Sequence, residues 1–170
     1  MTPRTFLKAS LLAAIFSAVA AHSALAWVAL EDAQRGIDVL AHLRAQASDV
    51  LNAFELVGRE ALALVLKHLP AARDPLPGVS PWYALIEVSG NQPGLDERLG
   101  ELLGALMEQG VMRDAVIARD LSQAAALWAL RESISEAQRI EGFSVKHDIS
   151  VPVSAIPCFI DQAGERIRQA

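Results

Sequence analysis

From Ser23 onward the chain alternates between short runs that are apolar throughout and longer stretches whose apolar residues recur every third or fourth position. SALAWVAL (23–30) is of the first kind and predicts a buried strand. Residues 31–47 carry Ala33, Ile37, Leu40, Leu43 and Ala47 at helical spacing. Asp49–Glu55 is short and reads as strand or connector. Val57–Leu69 returns to helical periodicity, and Pro70 stops it. Residues 70–81 hold four of the eight prolines and predict a surface loop. PWYALIEVSG then reads as a strand flanked by Pro81 and Gly90. After the turn residues NQPG, a helix runs through Leu95, Leu99, Leu102, Leu103, Leu106 and Met107, with Gly110 as its C-cap. Ala115–Ala118 predicts a short strand. Asp120 or Ser122 caps a long helix to about Glu141, which Gly142 ends. Phe143–Pro152 predicts a strand and Ser154–Gln169 a last helix. Alternating strands and helices with crossover-length connections predict an α+β fold, one sheet covered by helices.

Composition narrows the function classes. The 170 residues suffice for one domain with its own core, and 52% apolar with 21% charged residues is globular composition. Net charge is −5 and no Lys/Arg run forms a nucleic-acid footprint, so DNA or RNA binding is not expected. Cys158 is the single cysteine, which excludes an internal disulfide and a cysteine-based zinc cage. Its neighbours Ile156, Phe159 and Ile160 predict a buried, inert thiol. His22, His42, His68 and His147 are scattered, so no metal site is predicted. There is no G-x-S-x-G elbow, no P-loop and no pair of adjacent glycines, and no catalytic residue is assigned.

The N-terminus has two readings. Arg4 and Lys8 precede an apolar run, and Ala24-Leu25-Ala26 supplies small residues at a cleavage spacing, the pattern of a signal peptide. In that case an exported binding domain begins after Ala26. Alternatively residues 1–22 are an apolar linker remnant, SALAWVAL is a strand of a domain spanning 23–170, and the protein is cytoplasmic. The sequence leaves membrane association open.

Candidate chemistry concentrates in LWALRESISEAQRIEGFSVKHDISVP (127–152). With Leu127 at zero on a helix of about 100° per residue, Leu130, Ile134 and Ala137 form a core stripe. Arg131 falls at about 40°, Ser135 at about 80° and Trp128 at about 100°, at the edge of that stripe. Arg131 there either stacks on Trp128 and aims its fork into a cleft, or snorkels into an ion pair with a nearby Glu. Strand alternation places His147 with Val145, Ile149 and Val151, and Lys146 with Ser144, Asp148 and Ser150. His147 then reads as a core histidine. Lys146 and Asp148 are either a solvated pair or an anion-binding Lys held by its neighbour. Two cations fifteen residues apart across a Gly turn would suit a small carboxylate.

At these residues the chain resembles the C-terminal substrate domain of FAD-linked oxidases, the group of D-lactate dehydrogenases, glycolate oxidase subunits and D-2-hydroxyglutarate dehydrogenases. LWALRESISEAQ…EGFSVKHDISVPVSAIP carries the likeness, with AFELVGREALALV, PWYALIEVSG and RDAVIARD as weaker matches over roughly residues 16–170. The resemblance implies a ferredoxin-like cap domain with a mainly antiparallel sheet, here incomplete. It also implies FAD as cofactor, a small 2-hydroxy acid as substrate, and an FAD-binding domain in the same or a companion chain. Arg131 and Lys146 match the family's carboxylate-binding pair and Ser135 a hydroxyl residue on the same substrate. Asp148 and Trp128 would support them. The family's metal-binding and proton-accepting residues have no counterpart here, so the chain reads as a fragment that does not turn over alone.

Overall fold

The computed structural model describes residues 22–146 and 148–169. Its centre is β1 (His22–Leu30), the apolar run that begins the readable pattern. β1 lies between β3 (Trp82–Gly90) and the short β4 (Asp114–Ile117), and β2 (Leu51–Gly58) pairs with the far side of β3. The order is therefore β2-β3-β1-β4, with every pairing antiparallel. This is the expected α+β class, and the strand order is that of the ferredoxin-like split β-α-β arrangement.

β1 is buried on both faces, which is why ALAWVAL is continuously apolar instead of alternating. Ala24, Ala26, Val28 and Leu30 meet α1 (Ala33–Ala47) and α3 (Leu95–Glu108) on one side. Leu25, Trp27 and Ala29 face the other, covered by α2 (Arg59–His68), α4 (Leu121–Glu132) and α5 (Ile134–Glu141). Three caps follow the sequence. Asp32 and Asp120 each accept a hydrogen bond from the backbone N–H three residues on, which satisfies an orphan donor of α1 and of α4. Gly110, at φ +68°, closes α3 with Val111 N donating to the Leu106 carbonyl.

A half-buried network pins the long loop after α2. The Tyr83 hydroxyl accepts from Arg59 Nη1 at 2.9 Å and from the buried Ser80 amide at 3.0 Å. Arg59 also donates to Asp74 at 2.8 Å. Asp74 foremost holds the Arg59 guanidinium above its ordinary range; burial opposes the shift and Tyr83 adds to it. Tyr83→Phe leaves two donors without their acceptor, and a loss of about 1–2 kcal/mol is expected in urea unfolding. An unchanged midpoint would show that water replaces the hydroxyl at no cost.

Four expectations are corrected. The helix placed over Val57–Leu69 starts at Arg59, because Val57 and Gly58 complete β2 opposite Tyr83 and Trp82. The helix expected to run to Glu141 is interrupted at Ser133, a weak helix former, so that α4 follows the sheet while α5 packs on α2. The described residues of Phe143–Pro152 form no strand: they pair with no sheet edge, and a strand without a ladder leaves its backbone unpaired. Its alternation sorts nothing inward, with Phe143 97%, Val145 68% and Ile149 55% exposed. Cys158 is exposed, because α6 (Ile156–Gln169) touches α1 and buries none of its own residues. The expectation for His147 lies outside the described residues. So does the one for the apolar segment 1–22, apart from His22, which opens β1.

Candidate functional site

The junction of α4 and α5 carries Arg131 and Ser135 and is reached by Lys146. Leu127, Leu130 and Ala137 are buried against the sheet face that holds Trp27, which fixes the rotation of both helices. Arg131 therefore leaves the last turn of α4 at the margin of the core. Its Nε and Nη2 donate to one oxygen of Glu55 on β2, at 3.2 and 3.1 Å. The pair is about two-fifths exposed, with side chains at 43% and 36%. The ion pair anticipated as one alternative for Arg131 thus exists, and its partner comes from the sheet, not from a neighbouring turn.

Ser135 sits exposed in the first turn of α5. After Gly142, at φ +151°, the chain brings Lys146 back so that its Nζ donates to the Ser135 carbonyl at 3.4 Å. Lys146 thus reaches the start of α5, just past the end of α4 that bears Arg131, and both side chains are solvent-exposed. Asp148 is exposed in the coil beyond. Trp128 is half-buried and lines a separate hollow of about 730 Å³.

That hollow lies between α4, the ends of β1 and β3, and the start of α3. Its charged lining is mostly acidic: Glu87, Asp96, Asp120 and Glu132, against Arg119. Asn52 donates to Glu87 at 2.8 Å across its floor. Four carboxylates do not fit the pyrophosphate of a flavin dinucleotide. The three glycines with positive φ (Gly94, Gly110, Gly142) stand singly at helix ends and form no phosphate cradle. Among the described residues no group of three or more His, Cys, Asp or Glu is placed to hold a metal ion.

The coil bearing Lys146 is anchored where α5 ends. Glu141 accepts from Lys67 Nζ at 2.7 Å and meets the His68 ring, both on α2. These contacts, Lys67 first and His68 second, hold the Glu141 carboxyl below its ordinary range. A carboxyl whose folded-state value is lowered stabilises the fold at pH above the unfolded value, and this is lost as pH falls through the lowered one. The α2–α5 tie is therefore expected to persist as pH falls past the ordinary Glu value of about 4.3, and to open only below it. A carboxyl NMR titration checks this: the Glu141 midpoint should be depressed, and Lys67→Met should raise it. A normal midpoint in the parent protein would contradict the anchor. Sequence reading missed both Glu55 and this anchor, since each acts across more than seventy residues.

A family model described as FAD linked oxidases, C-terminal domain, matches residues 19–170. The chain is 35% identical over 133 residues to the mitochondrial D-2-hydroxyglutarate dehydrogenase of Arabidopsis thaliana, covering 78% of this chain and 24% of that protein. It is 35% identical over 135 residues to the D-2-hydroxyglutarate dehydrogenase of Xanthomonas citri pv. viticola, covering 79% and 27%. With the mitochondrial D-2-hydroxyglutarate dehydrogenase of Bos taurus it shares 38% over 114 residues, covering 66% and 21%. The chain thus spans about a quarter of the length of these relatives.

Proposed function

Since the chain belongs to the FAD linked oxidases, C-terminal domain, family, we propose that it is the substrate-binding part of an FAD-dependent 2-hydroxy-acid oxidoreductase. Its substrate would be a small acid of the D-2-hydroxyglutarate, D-lactate or glycolate class. The observation that carries this reading is the return of Lys146 to the α4–α5 junction, where Arg131 ends α4 and Ser135 begins α5.

The chemistry available there is recognition and orientation. The Arg131 fork offers paired N–H donors to a carboxylate, and Lys146 adds a compact second charge. Ser135, exposed at the start of α5, would offer a hydroxyl suited to a substrate oxygen. Asp148, two residues beyond Lys146, would bias the ammonium toward the junction, and Trp128 would support the Arg131 side of the helix. Holding the acid by one end fixes where its α-carbon lies, which is how positioning lowers a barrier without bond making by the protein. The family implies a flavin as the redox partner. The described residues do not fit one, so turnover would need groups beyond them.

Exposure sets the strength of this site. Two solvated cations give affinities near the millimolar range, about −4 kcal/mol, unless something covers them. The covering element would be the FAD-binding domain, in this polypeptide or a companion chain. An exported form cut after Ala26 is disfavoured physically. The cut would remove His22–Ala26 from β1, whose whole length pairs with β3. No helix among the described residues is long and apolar enough to cross a membrane. The test is titration of the chain with D-2-hydroxyglutarate and D-lactate, comparing the parent protein with Arg131→Ala.

A further inference from the structure

We propose that Glu55 is the positioning residue of the carboxylate clamp, holding one edge of the Arg131 guanidinium so that the other edge is presented to the ligand. The inference rests on the clamp reading above and adds a residue from AFELVG, a motif the site had not otherwise used.

The geometry carries it. Arg131 Nε and Nη2 both donate to a single oxygen of Glu55, which occupies the side edge of the fork. Nη1 and the second hydrogen of Nη2 remain, a pair of parallel donors matched to a carboxylate. Glu55 is well suited to fix that direction. It sits within β2, in register with Leu85, and its neighbour Val57 is buried. Phe54 and Leu56 on either side pack into the core of α1 and α3, so strand alternation turns Glu55 toward α4. Sheet backbone on one side and a helix end rotated by Leu127 and Leu130 on the other leave the Arg131 fork one well-defined orientation.

Two effects of opposite sign follow from removing Glu55. An unrestrained arginine has several rotatable bonds, and freezing them on binding weakens affinity. A carboxylate beside the arginine repels an incoming anion, but across a solvated separation of several ångströms that repulsion is small. Ordering therefore outweighs repulsion at this exposed site. Glu55→Ala loses the ordering. Glu55→Gln keeps an acceptor oxygen for Arg131 and removes the charge.

The experiment is NMR on the full chain, with two readouts. The Arg131 Nε–H signal should be sharp in the parent and in Glu55→Gln, and broadened by exchange in Glu55→Ala. In titrations with D-2-hydroxyglutarate, Glu55→Ala should bind roughly fivefold more weakly than the parent, and Glu55→Gln within about twofold of it. A structurally idle surface pair would give three equal affinities, and a competitor would make both variants tighter; either result overturns the proposal, as does an Nε–H signal indifferent to Glu55→Ala. Arg131→Ala separates the two ideas. If it binds D-2-hydroxyglutarate as the parent does, the clamp reading fails on its own, while the Nε–H signal still decides whether Glu55 fixes the fork.

Discussion

Trp27→Ala is expected to lower stability by about 3–5 kcal/mol, the range for emptying a fully buried aromatic site. For a chain of this size that corresponds to roughly 6–20 °C in Tm, at about 2–4 °C per kcal/mol. Domains of this kind are stable by only about 5–15 kcal/mol, so the variant would sit near the threshold of folding. The reason lies in where the residue stands. Trp27 is fully buried in the central strand, opposite Leu85 on β3 and Val116 on β4. Its ring meets Tyr83 with centroids 5.7 Å apart and planes tilted by 32°. The same indole carries a flaw: its Nε1–H is buried without a partner among the described residues. An unpaired buried donor costs free energy, so Trp27→Phe trades lost volume against a removed penalty and should stay within about 1.5 kcal/mol of the parent. Thermal unfolding of both variants checks this. If Trp27→Ala and Trp27→Phe melt together, packing around β1 is not what holds the sheet.

Trp27 also shows what was legible in the chain. A strand buried on both faces writes itself as an unbroken apolar run, and SALAWVAL could be placed from sequence with its length nearly right. Helices with one core stripe, α1 and α3, were equally plain, and so was the cap at Gly110, because their causes lie within four or five residues; at the start of α4 the sequence offered Asp120 or Ser122, and Asp120 is the cap. What failed depended on partners distant in sequence. Phe143–Pro152 has strand alternation, but a strand exists only with a neighbour, and alternation cannot say whether an edge is available. The break at Ser133 arises because α5 packs on α2, some seventy residues away, while α4 lies on the sheet.

The site divides along the same line. Local phase put Arg131 at the core boundary, which the burial of Leu127 and Leu130 supports, while the family likeness singled out Ser135 and Lys146 as candidates beside it. It could not find Glu55, whose only mark is a carboxylate between Phe54 and Leu56 in a segment readable as strand or connector. Nor could it fix Ser135 relative to Arg131, because one helical wheel does not run through Ser133. The contact between Lys146 and Ser135 arises from a coil folding back along α5, not from the strand that was expected.

Arg131→Ala is expected to abolish measurable carboxylate binding while leaving the fold intact. The two consequences separate because the side chain is about two-fifths exposed and its ion pair with Glu55 is solvated. Such pairs contribute about 0–1 kcal/mol, so Tm should move by no more than a few degrees. Binding is different, since in the proposed clamp the ligand carboxylate would have few partners. Lys146 alone is a point charge worth about 1 kcal/mol at 4 Å in water, too little to hold a small acid. Charged hydrogen bonds to the fork contribute about 1.5–3 kcal/mol, so their loss weakens binding tenfold or more. Arg131→Lys keeps the charge and loses the paired donors. It should retain part of the affinity but discriminate poorly between D-2-hydroxyglutarate and chloride, because a single ammonium does not match the planar carboxylate. Titrations at two ionic strengths read both effects. If Arg131→Ala binds within about twofold of the parent at low salt, where a solvated charge acts most strongly, the carboxylate is recognised elsewhere and Arg131 serves only to tie α4 to β2.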